Sequence, residues 1–128
     1  FSIPLKSSES YGRDLLEKSI VGNDTGESDT IENAGALITI NGPAIKPIIS
    51  LNDYSIEYDM DILEGAKIEI DSSKSTITHI NSDGIKTNVM KYYNHQFPKI
   101  ENGINQLKVL SGISNANNVM VKWNDLKL

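Results

Sequence analysis

The chain has 128 residues, a formal net charge of −5 and no cysteine. That length suits one domain that buries about two-thirds of its unfolded surface, and the lack of cysteine excludes disulfides, thiolate metal sites and a cysteine nucleophile. With 12 Lys and Arg against 17 Asp and Glu there is no basic footprint for nucleic acid, and no apolar run approaches the ~20 residues of a membrane-spanning helix.

The opening stretch FSIPLKSSES has no long apolar run of the kind that marks a signal peptide, and no initiator Met. A piece of a longer or processed protein is expected. Residues 10–19 predict a short helix, with Tyr11, Leu15 and Leu16 as a thin apolar stripe. The Gly-, Asn- and Asp-rich stretch after it, VGNDTGESDTIENAG, predicts a loop. Residues 1–35 therefore read as an arm or linker, marginal to the stability of a β domain spanning 36–128.

From residue 36 the pattern changes to short β runs separated by turn residues. ALITIN (36–41) alternates around Ala36, Ile38 and Ile40. IKPIISL (45–51) follows, and its Pro47 cannot donate to a sheet, which predicts an edge-biased strand. YSIEYDMDI (54–62) places Ile56, Tyr58, Met60 and Ile62 on one face and Glu57, Asp59 and Asp61 on the other. AKIEID (66–71) turns the alanine and both isoleucines inward, and STITHI (75–80) returns after a polar turn. NSDG (81–84) is a turn signal before IKTNVM (85–90), and INQLKVL (104–110) and NVMVKW (118–123) complete the set. About eight short antiparallel strands predict an all-β fold of two packed sheets, a sandwich or jelly roll. In the last strand Val119, Val121 and Trp123 share one face, and Lys122 lies on the other.

Little in the sequence points to catalysis. The row Glu57, Asp59 and Asp61 could make a calcium site or an acid–base pair, but it lacks the order of a 12-residue calcium loop and reads as a solvated strand face. His79 and His95 are the only histidines and do not form a zinc-binding pattern. No serine sits in a nucleophile-elbow pattern, and GNDTGESD lacks the lysine and spacing of a phosphate-binding loop. No enzyme activity, metal or cofactor is expected. The aromatic cluster KYYNHQF (91–97) is the candidate ligand or partner surface. There Tyr92 and Tyr93, with His95, could stack on a sugar ring or pack against a protein, while Asn94 and Gln96 supply amide hydrogen bonds.

Several segments also carry a resemblance. ITINGPAIKPIIS resembles the Gly-Pro-x-x-x-Pro segment that opens the C-terminal domain of distal tail proteins of long-tailed bacteriophages. LEGAKIEIDSSKSTITH resembles that family's next turn, strand and hairpin. FPKIENGINQLKVLSG resembles its Phe-Pro turn before a late strand, and VMVKWNDLKL resembles its closing strand. YGRDLLEKSI is similar to the segment joining the family's two domains. The resemblance implies a galectin-like β-sandwich on the outside of a hexameric hub at the tail tip of a phage or prophage. It would be a virion structural protein and a platform for other tail, baseplate or receptor-binding proteins. The runner-up expectation is a carbohydrate-binding module for a cell-surface glycan. The family's ring-building N-terminal domain has no counterpart in this chain, so the domain alone is expected to be a monomer.

Overall fold

The computed structural model describes residues 14–28, 34–94 and 96–127. The described residues form twelve strands: β1 (Asp14–Val21), β2 (Asp24–Ser28), β3 (Ala34–Gly35), β4 (Leu37–Asn41), β5 (Ile48–Leu51), β6 (Tyr54–Glu57), β7 (Lys67–Asp71), β8 (Thr76–Ile80), β9 (Lys86–Asn88), β10 (Lys99–Ile100), β11 (Gly103–Ser111) and β12 (Val119–Lys127). Two 3₁₀ turns, Met90–Tyr92 and Ala116–Asn118, are the only helical pieces among the described residues, and no helix there is long and apolar enough to cross a membrane. A six-stranded sheet runs β1-β12-β4-β7-β8-β9, a four-stranded sheet runs β2-β11-β5-β6, and β10 pairs with β3. All pairings are antiparallel. The fold is an all-β sandwich.

Strand alternation builds the core. Ile38 and Ile40 of β4, Ile68 and Ile70 of β7 and Ile77 of β8 point inward from the large sheet. Ile49 and Leu51 of β5, Ile56 of β6 and Leu107 of β11 meet them from the small one. Register makes the layers coincide: Ile38 lies opposite Ile70, Ile40 opposite Ile68, and Val121 opposite Ile38. Isoleucine dominates because a β-branched side chain fits the pleated surface. The expected inward face of β12 is present, with Val119, Val121 and Trp123 buried and Lys122 exposed.

Two turns use their side chains as expected of turn residues. Asp71 accepts backbone hydrogen bonds from Ser73 and Lys74 before β8, and Asn81 accepts from Asp83 and Ile85 before β9. Two buried polar groups are fully employed. The Ser72 hydroxyl donates to the Ala36 carbonyl and accepts from the Ala36 N–H. The Asn105 side chain, fully buried, makes four hydrogen bonds, which tie β11 to Glu101 and Asn52 and reach Gly103 of its own strand. Each satisfied group avoids the desolvation penalty of about 1–3 kcal/mol that an orphan would carry.

Three expectations need correction. The helix over residues 10–19 is not formed: its described part, from Asp14, belongs to strand β1, which runs alongside β12 from Asp14↔Lys127 to Val21↔Met120. An isolated helix of that length is marginal, whereas the open edge of β12 offers a full ladder of backbone partners. Residues 14–28, read as part of an arm, supply an edge strand to each sheet, β1 beside β12 and β2 beside β11. Finally, β5 is not an edge strand, since it lies between β11 and β6. Pro47 precedes it rather than sitting in it, so the missing N–H removes nothing from the ladder, and its carbonyl accepts from Tyr58. The INGPAIKPII segment is thus the end of β4, a crossing between the sheets through a cis Gly42–Pro43 bond, and the start of an interior strand.

Candidate functional site

The expected alternation of residues 54–62 holds only to Tyr58. Ile56, Tyr58 and Ile62 are buried, but Met60 is exposed. The cause is a change of partner. β6 leaves β5 after Glu57, the Tyr58 N–H goes to Pro47, and the Asp59 N–H goes to the Tyr92 carbonyl at 2.7 Å. The Asn94 N–H returns to the Glu57 carbonyl at 3.2 Å, and Tyr58 bridges Tyr93. The aromatic segment after the Met90–Tyr92 turn therefore lies along the outer edge of β6.

This docking creates a cleft of about 470 Å³ lined by Lys46, Ile48, Glu57, Tyr58, Asp59, Lys91, Tyr92, Tyr93 and Asn94. Ile48 and Glu57 face each other across β5 and β6. They alternate with buried Ile49 and Ile56, so both look outward from the small sheet. Lys46 reaches to within 3.8 Å of Asp59, with both side chains largely in solvent. The Lys91 ammonium lies 5.0 Å from the centre of the Tyr92 ring.

The expected surface residues divide. Tyr92, Tyr93 and Asn94 line the cleft. Tyr93 is also a packing residue: it is 3% exposed, its ring meets Phe97 edge-on with centroids 5.3 Å apart, and its hydroxyl donates to the Gln96 carbonyl. Burial raises the Tyr93 phenol far above its ordinary pKa. Burial also raises that of Tyr58, with a further contribution from neighbouring Tyr92. Both phenols are therefore O–H groups, not anions, at neutral pH. The Asn94 amide is used internally, donating to the Ser55 carbonyl at 2.9 Å and accepting from the Gln96 N–H. Gln96 is exposed and outside the cleft lining. His95 lies outside the described residues.

The sequence did not suggest that Lys46, Glu57 and Asp59 share this cleft with the tyrosines. Their spacing along the chain carries no such signal, because the cleft exists only once residues 92–94 dock on β6. Glu57, Asp59 and Asp61 are all exposed, and no group of three or more His, Asp or Glu among the described residues is placed to hold a metal ion. His79 sits in β8, opposite Ile68 and Thr87. Calcium at a concentration of about 100 times a site's Kd would raise stability by about 2.7 kcal/mol. Millimolar calcium is expected to leave the thermal midpoint unchanged, as differential scanning fluorimetry would read. A rise of several degrees would establish a cation site at the carboxylate row.

Compared with protein-family models, curated proteins and solved structures, the chain matches none.

Proposed function

We propose that this domain is a non-enzymatic interaction module of a bacteriophage or prophage tail tip, the galectin-like C-terminal domain of a distal tail protein. In this role it is a virion structural part that gives other tail, baseplate or receptor-binding proteins a surface to dock on. In the whole protein it sits outside a hexameric ring, and alone it is a monomer.

One observation carries the reading. Three of the five segments that resemble the family each contain, in chain order, a point where the chain changes sheets. The Gly42-Pro43 to Pro47 segment takes the chain from β4 in the large sheet to β5 in the small one. LEGA (63–66) leads from β6 back to β7, and FPKIENG (97–103) leads from the β9 side to β11. VMVKWNDLK is β12, which lies between β1 and β4 in the large sheet. Motifs at such crossings determine topology, which supports a common architecture more strongly than the same residues within strands would. Fold resemblance alone does not carry function, so location is the decisive measurement. Gold-labelled antibody against the domain, applied to tailed particles of a phage or induced prophage that encodes the chain, should mark the distal end of the tail under the electron microscope. Particles labelled elsewhere, or not at all, would overturn the reading.

A further inference from the structure

We infer that the cleft between β6 and the Met90–Tyr92 turn binds an uncharged saccharide unit. The inference goes beyond the docking-platform reading and does not depend on it. Three features of the cleft select this chemistry.

Its charges cancel. Lys46 and Lys91 bring two cations, and Glu57 and Asp59 bring two carboxylates. Net attraction for a phosphate, a uronic acid or a basic peptide is therefore absent, while hydrogen-bonding capacity is high. A carboxylate accepts from neighbouring hydroxyls through two oxygens, and an ammonium donates up to three bonds. Hydroxyl groups on adjacent ring carbons, each both donor and acceptor, match such a mixed rim.

Its lining is also apolar and aromatic. Ile48, Tyr58, Tyr92 and Tyr93 line it together with the charged groups. Tyr92 is half-buried, and Tyr58 and Tyr93 are buried. A pyranose has an apolar C–H face and a polar perimeter, and so needs a flat apolar partner inside a polar rim.

The main-chain route for a peptide is closed. An extended peptide would bind most readily by adding a strand to an open sheet edge. At β6 that edge is occupied by this chain's own residues, through Asp59 to Tyr92, Asn94 to Glu57 and the Asn94 amide to Ser55. A ligand entering the cleft must be recognised by side chains alone.

Finally, the structure assigns roles within the cleft. Asn94 is a positioning residue, because its amide holds the 92–94 segment on β6. Glu57, Asp59 and Lys46 are the hydroxyl-binding groups and Tyr92 the stacking ring. Lys91, exposed and resting near the Tyr92 ring, moves aside or turns its ammonium onto the sugar.

The test is a ¹H–¹⁵N NMR titration of the whole chain with neutral oligosaccharides of glucose, galactose, N-acetylglucosamine, N-acetylgalactosamine and rhamnose. A polygalacturonate oligomer serves as the charged probe. At least one neutral sugar should shift amides at 46, 57–59 and 91–94. Glu57→Gln, which keeps the side-chain shape, should weaken that binding by about tenfold without moving the thermal midpoint, and Tyr92→Ala should weaken it at least as much. Lys108→Ala, outside the cleft, should leave it unchanged. The inference is overturned if no neutral sugar shifts these amides up to its solubility limit, if only the charged probe does so, or if the shifts lie elsewhere. It also fails if Glu57→Gln binds as tightly as the parent. Gold labelling reads where the domain sits and the titration reads what the cleft holds, so either proposal can fail without the other.

Discussion

Trp123→Ala is expected to destabilise the domain by about 3–5 kcal/mol, the range for removing a large aromatic side chain from a core. Trp123 is 3% exposed, and it faces inward with Val119 and Val121 from β12, an interior strand between β1 and β4. A side-chain carbon would already crowd its ring at Gly26 of β2, where an added Cβ would stand 3.0 Å from the indole Cη2. The ring therefore reaches from the large sheet to the small one, and its loss would leave a cavity that both sheets would have to close. Typical totals are only about 5–15 kcal/mol, so this one change would consume a large fraction. Lys122→Ala, on the exposed face of the same strand, should alter stability by less than about 0.5 kcal/mol. Because Trp123 is the single tryptophan, its fluorescence reports the register directly. Native emission should be blue-shifted and poorly quenched by iodide, and urea unfolding should shift it red in one step. A small loss in Trp123→Ala together with ready quenching would mean that β12 is out of register by one residue.

The inward face of β12 was legible because strict alternation from Val119 to Trp123 leaves only one buried choice once Lys122 is kept wet. The same holds for Ile38 and Ile40, for Ile68 and Ile70, and for the Asp71 and Asn81 turns, where local chemistry and tertiary packing agree. All eight runs read as strands from residue 36 onward are strands, although the 54–62 run is cut short at Glu57. Legibility ended where the outcome depended on a distant partner. Tyr11, Leu15 and Leu16 made a thin stripe at helical spacing, but the open edge of β12 recruits residues 14–21 as a strand. Pro47 signalled an edge, because the sequence could not show that the strand begins one residue later. The importance of Asn105 was likewise hidden: an asparagine in a polar–apolar run resembles any surface residue until Glu101 and Asn52 close around it. At the cleft, Tyr92, Tyr93 and Asn94 stood out as an aromatic and amide cluster, whereas Glu57 and Asp59 read only as a solvated row. Their meeting is a product of tertiary docking, some 35 residues apart in sequence.

The larger effect should come from removing residues 1–28. Those residues were expected to be dispensable; the pairing of β1 and β2 reverses that expectation. β1 covers β12 along eight register pairs, and β2 covers β11 along five. Ile20 is 2% exposed and lies against Gly26, so β1 and β2, one on each sheet, together close one side of the sandwich. The turn between them is tied down as well: the Gly22 N–H donates to the Val119 carbonyl at 3.0 Å, and the Asn23 side chain accepts from the Val109 N–H at 2.6 Å. Loss of Ile20 alone is worth about 2–5 kcal/mol by the large-to-small rule. Truncation also turns β12 and β11 into raw edges and opens the flank on which Trp123 packs. A chain of residues 29–128 should therefore show no cooperative thermal transition and should expose its tryptophan to iodide. Addition of a peptide of residues 14–28 in excess should restore a transition, because it returns both edge strands and Ile20 together. If residues 29–128 melted cooperatively within a few degrees of the whole chain, the two edge strands would be ornaments on a sandwich completed without them, and the original reading of an arm would stand.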